Sequence, residues 1–171
     1  MATFILTVVG EDRAGLVSAL SAPIKERGGS WERSQMSRLA GKFAGIVLVA
    51  VADDQYDALV AELTSLKDQG LHVVVERTDE PAPRETVRFQ LDLLGADRPG
   101  IIADISSALA EAGVSIDELS TDVRDAPMAG GTLFEASAVL EAPTTTSSDA
   151  LSALLEKLAD ELMVEIRLSD G

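Results

Sequence analysis

Gly10-Glu11-Asp12-Arg13-Ala14-Gly15-Leu16-Val17 returns as Gly95-Ala96-Asp97-Arg98-Pro99-Gly100-Ile101-Ile102, an offset of 85 residues from Gly10 to Gly95. Each copy follows a β-rich run, Phe4 to Val9 or Phe89 to Leu94, and each opens an amphipathic stretch. Each is therefore a strand-to-helix turn. Glycine at both ends lets the backbone adopt conformations closed to other residues. Pro99 suits a first helical position, with φ preset and no N–H to leave unpaired. Free amides and a partial positive charge at such a turn make a seat for a carboxylate. The expected ligand residues are Asp97, Arg98, Pro99, Gly100 and Ile101, with Asp12, Arg13, Ala14, Gly15 and Leu16 in the first copy. One such turn is a common way to start a helix; two in the same context carry more information.

Outward from the first turn, Leu16, Val17, Leu20 and Ile24 recur at helical spacing, with Pro23 late in the helix and Gly28-Gly29 ending it. The strand ahead of it, Phe4 to Val9, is apolar on both faces, as in a strand buried inside a sheet. Trp31 to Arg38 and Phe43 to Val51 read as two strands joined at Leu39-Ala40-Gly41-Lys42, a short hairpin lacking the Asn-Gly pair. Asp53 or Asp54 is placed to cap a second helix faced by Tyr56, Leu59, Val60, Leu63 and Leu66. Gly70 stops it, and Leu71 to Glu76 is a fourth strand, which completes the order βαββαβ.

Thr78 to Glu85, with two prolines and no apolar period, reads as a linker. The pattern then restarts. Gly113 matches Gly28, and Ser115-Ile116-Asp117 matches Ser30-Trp31-Glu32. The second hairpin, Asp125 to Gly131, is longer. Ser147 or Ser148 caps a last helix faced by Leu151, Leu154, Leu155, Leu158 and Leu162. The expected domains are 1–78 and 87–171, joined by 79–86. Each is a ferredoxin-like α+β unit, a four-stranded antiparallel sheet with two helices on one face. Units this small are expected to pack on each other by edges or faces, and to pair further into a homodimer.

The twin Gly-x-Asp-Arg turn in a βαββαβ frame resembles the ACT domain, a small regulatory amino-acid-binding module. The stretch from Gly28-Gly29-Ser30-Trp31 through Leu39-Ala40-Gly41-Lys42 to Ile46 is similar to the tandem-ACT proteins related to the glycine cleavage system transcriptional repressor. That resemblance spans nearly the whole chain. It implies an amino-acid sensor with no DNA-binding domain of its own, acting through a protein partner. Ala14 departs from the family pattern, which usually has proline there, and implies a looser or unused first site.

Composition narrows the function classes. With 29 acidic against 14 basic residues and a formal net charge of −15, the chain lacks the cationic surface that phosphate binding needs, so direct nucleic-acid binding is not expected. There is no cysteine, which removes disulfides and thiolate chemistry and fits a cytoplasmic compartment. No apolar run approaches a membrane span, and no basic-then-apolar leader opens the chain. His72, the single histidine, stands alone in an apolar strand with no catalytic partner, and no metal-ligand spacing or nucleophile elbow occurs. Trp31 and Met36 are read as packing residues, with walls of a ligand pocket as the other reading. Arg13 and Arg98 are each suited to a neighbouring aspartate or to a ligand carboxylate.

These features lead to an expectation of a non-enzymatic regulator with no cofactor and no metal. It binds a small glycine- or serine-like amino acid and signals to a transcription factor or enzyme. A regulatory subunit acting directly on a metabolic enzyme is the alternative. The second turn is expected to be the better site, because Pro99 leaves it less entropy to lose than Ala14 leaves the first. The ligand's ammonium group would meet a carboxylate or carbonyls of the facing domain.

Overall fold

The computed structural model describes residues 1–79, 83–128 and 130–171. The chain divides into two compact units, Met1–Ala82 and Pro83–Gly171. The first contains β1 (Ala2–Glu11), α1 (Leu16–Glu26), β2 (Ser30–Leu39), β3 (Lys42–Val51), α2 (Asp53–Ser65), a 3-10 turn at Leu66–Gln69 and β4 (Leu71–Arg77). The second repeats the order as β5 (Thr86–Ala96), α3 (Ile101–Glu111), β6 (Ser115–Asp125), β7 (Thr132–Pro143), α4 (Ser148–Leu162) and β8 (Val164–Asp170). Each unit is a four-stranded antiparallel sheet, in the orders β2-β3-β1-β4 and β6-β7-β5-β8, with its two helices on one face. This is the ferredoxin-like α+β fold. Of the expected linker 79–86, Glu80, Pro81 and Ala82 lie outside the described residues, and Thr86 is the first residue of β5.

Alternation along the central strands builds the cores. Phe4, Leu6 and Val8 of β1 point into the first core and meet Leu16, Leu20 and Ile24 of α1 and Leu59 and Leu63 of α2. Phe89, Leu91 and Leu93 do the same in the second, against Ile101, Ile105 and Leu109 of α3 and Leu151, Leu155 and Leu158 of α4. No polar or charged residue is buried among the described residues. Tyr56 of α2 joins the layers, edge-on to the Phe4 ring at 5.3 Å and beneath the Arg77 guanidinium at 4.1 Å. Trp31 and Met36 pack against the first core from the edge strand, which is the packing reading of those positions.

Several local features differ from the sequence reading. Strand β1 is not buried on both faces: its second face, with Val9, is open. Asp53 and Asp54 do not cap α2. Ala52 is the residue before the helix, and the two carboxylates sit in its first turn, favourable to the helix dipole, with Asp53 also taking the N-terminal ammonium at 2.9 Å. Ser147 caps α4 through the Ala150 amide. Helices α1 and α3 end alike. The amide of Gly28 bonds the Lys25 carbonyl and that of Gly29 the Ile24 carbonyl, as Gly113 and Val114 bond Ala110 and Leu109.

The first hairpin has a loop of two residues, with Ala40 at φ 49° and Gly41 at φ 78° and Leu39 facing Lys42. Both signs are those of a type I′ turn, whose twist matches the strands it joins. The second hairpin is longer, closed by the Ala126 amide on the Gly131 carbonyl at 3.0 Å, and its Ala129 lies outside the described residues. A left-handed alanine costs about 1 kcal/mol. Ala40→Asn restores the Asn-Gly pair, and chemical denaturation should show a gain of up to about 1 kcal/mol.

Candidate functional site

The two turns share one backbone geometry. Each first helix starts after a glycine in the left-handed region, Gly15 at φ 87°, ψ 4° and Gly100 at φ 93°, ψ 0°. These are the angles a type II turn requires of its third residue, for which proline is favoured one position earlier. Pro99 is therefore not the first helical residue. It precedes the capping glycine and stiffens the turn rather than the helix. Ala14 occupies the same place in the first turn. The Gly15 and Gly100 carbonyls accept the first helical bonds, from Ala19 and Asp104, both at 2.9 Å. Neither helix has a side-chain cap, so the amides of its first turn are left for another acceptor.

The outer glycines do something else. Gly10 and Gly95 are absent from the left-handed set, and each lies where the last strand of its unit begins, opposite Leu71 and Val164. A Cβ on Gly95 would stand 2.4 Å from the Val164 Cγ1, and one on Gly10 would stand 2.8 Å from the Gly70 carbonyl oxygen. A Cβ on Gly15 or Gly100 would meet nothing within 4 Å. Each turn thus has one glycine for close approach and one for conformation.

Each turn is fastened to the neighbouring hairpin in the same way. The Asp12 amide bonds the Gly41 carbonyl at 2.9 Å, and the Asp97 amide bonds the Thr132 carbonyl at 2.9 Å. The side chains diverge. Arg13 donates to the Gln69 carbonyl at 2.8 Å, and Asp12 faces Arg38 at 3.4 Å, so the first turn's charges are engaged within its own unit. Asp97 and Arg98 make no side-chain hydrogen bond or ion pair among the described residues, and both are exposed. Leu16 and Ile101 do not face a ligand with their side chains. Both are buried in the cores, which leaves only their amides at the turn. His72 is exposed on the open face of the first sheet, opposite Val9, the residue that precedes the first turn.

A concavity of about 380 Å³ lies elsewhere, on the open face of the second sheet, lined by Asp92, Ser120, Asp122, Glu135, Ser137 and Arg167, among others. Its excess of carboxylates makes it a poor seat for a carboxylate group. No group of three or more metal-ligating side chains, and no helix long and apolar enough to cross a membrane, occurs among the described residues.

Residues 2–76 match the profile of the ACT domain, and residues 89–142 match it again. The chain belongs to the ACT-domain family. Its two ACT units are also found in tandem in solved structures. One from Galdieria sulphuraria is 30% identical, with a TM-score of 0.88 over 99% of this chain and 98% of that one. Another, a candidate glycine cleavage system transcriptional repressor, is 16% identical, with a TM-score of 0.76 over 98% of this chain and 96% of that one, a likeness of fold. A comparison with curated proteins finds no match.

The close approach at Gly95 predicts that Gly95→Ala costs about 1–3 kcal/mol by overpacking. Adding Val164→Ala should recover part of the loss, so the double variant should unfold later than the sum of the two single effects. Additive losses would mean that the Val164 side chain is not the obstacle.

Proposed function

We propose that this tandem ACT protein is a non-enzymatic regulator that binds a small amino acid, glycine or serine in kind, and signals its occupancy to a protein partner. The reading takes 1–78 and 87–171 as the functional domains and 79–86 as their connection. The observation that carries it is the second turn, where Asp97 and Arg98 have no side-chain partner among the described residues beside an uncapped helix start. A ligand carboxylate would rest on the amides from Arg98 to Ile101, with the guanidinium within reach of the same anion. The first turn is the poorer seat, because its arginine and aspartate are already bonded and Ala14 leaves it less stiff.

The stretch from Gly28 to Ile46 and the likeness in fold to a candidate glycine cleavage system transcriptional repressor support a role in transcriptional control of amino-acid metabolism. A net charge of −15 supports contact with a protein rather than with DNA directly.

Calorimetry and thermal shift across the twenty amino acids test the proposal. Binding is expected for a small amino acid, and silence for all of them would overturn the sensor role. Gly100→Val and Arg98→Ala should each weaken that binding by roughly tenfold or more, the latter by loss of a charge-assisted contact. Gly15→Val should weaken it less, circular dichroism showing every variant folded. The reverse order would move the site to the first turn.

A further inference from the structure

The two sheets share one backbone register but expose opposite chemistry on the face away from their helices. In the first unit, pairing across β2-β3-β1-β4 sets out three rows: Arg33–Leu48–Ile5–Glu76, Gln35–Ile46–Thr7–Val74 and Ser37–Ala44–Val9–His72. The middle of this face is apolar and uncovered, with Val9 43% exposed, Ile46 48% and Val74 58%. Beyond the Glu11–Lys42 ion pair at its end, the face carries one arginine and one glutamate, which stand at the two ends of a single row. Both are exposed, and the side chains of Arg33 and Glu76 make no hydrogen bond or ion pair among the described residues. The corresponding rows of the second unit are Glu118–Val139–Gln90–Ser169, Ser120–Ser137–Asp92–Arg167 and Asp122–Glu135–Leu94–Glu165.

We infer that the open face of the first sheet is a dimer contact, and that its occupant is the same face of a second copy of this chain. The charge pattern selects the symmetry. A twofold axis lying between the sheets and parallel to the strands lays β2 over the partner's β4 and β3 over the partner's β1. Arg33 then meets Glu76 of the partner subunit on both sides of the axis. Between them Leu48 stacks on Ile5 of the partner subunit, and Ile46 on Thr7 of the partner subunit. A twofold across the strands, through the middle row, would instead set Arg33 opposite Ser37 of the partner subunit and Glu76 opposite His72 of the partner subunit, so the arginine would meet no carboxylate. Face-to-face sheets cross at about 30°, an offset that side chains as long as arginine and glutamate span at the sheet edges.

The same operation on the second sheet would press Asp122 against Glu165 of the partner subunit, a like-charge contact that disfavours association. Self-pairing is thus confined to the first unit, and the contact is isologous, as a closed dimer requires. It does not depend on ligand binding at the turns.

Sedimentation of the full chain over a concentration series tests this. The expected result is a reversible dimer of twice 18.0 kDa. Ile46→Arg should abolish it, Arg33→Glu and Glu76→Arg should each weaken it by roughly tenfold, and the double variant Arg33→Glu/Glu76→Arg should restore it. All three positions of this test are exposed, and circular dichroism checks that each of the four variants folds. A monomer at every concentration, a dimer indifferent to Ile46→Arg, or a charge swap that fails to restore association would each overturn the inference.

Discussion

In each unit the central strand must pair on both sides and then hand the chain straight into a helix, and both acts meet at one missing side chain. Gly10 and Gly95 lie where the fourth strand of the unit begins alongside the first. A Cβ there would collide with the Gly70 carbonyl in one unit and with Val164 in the other. Because the approach is tight, the fourth strand closes the sheet at the very point where the first strand ends. The helix that follows a few residues later can then lie across the sheet with Leu16 or Ile101 driven into the core. The turn between them is fixed from two directions: its aspartate amide is held by the hairpin, and its second glycine takes a φ that few other residues adopt without strain. The uncapped amides of the turn follow from this geometry, as by-products of starting a helix so soon after a strand.

Repetition of the backbone has left the two copies free to differ in what they expose. In the first, the turn's charges are spent on Gln69 and Arg38, and the open sheet face is apolar between one arginine and one glutamate. In the second, the turn's charges have no side-chain partner among the described residues, and the open face carries Asp92, Asp122, Glu135 and Glu165. The cores tolerate no such divergence, since every buried position in both is apolar. Ligand recognition in the second unit and association through the first would divide between the copies two tasks that a single small domain would have to crowd onto one surface.

Periodicity made most of the fold legible in the chain itself. Alternation in Phe4 to Val8, helical spacing in Leu16, Leu20 and Ile24, and the repeat at 85 residues lead directly to two βαββαβ units, because burial against a single face leaves a period in the sequence. The failures were of a different kind. Val9 reads as buried inside the sheet and is exposed, since hydrophobicity does not say which face of a sheet the helices will cover. Asp53 and Asp54 resemble caps, since a cap depends on a single backbone torsion at Ala52.

By itself, then, the sequence determined the repeat, the order of elements, the apolar stripe of each helix and the presence of two glycine-flanked turns, all of them local or periodic properties. Only the tertiary structure decided what each glycine is for, because Gly10 and Gly95 answer to strands some 60 to 70 residues away along the chain. It alone decided that Arg13 is engaged while Arg98 has no side-chain partner among the described residues, since the Gln69 carbonyl comes from a segment 56 residues distant. Pairings of that range are set by how the whole sheet closes, and no window of sequence carries them.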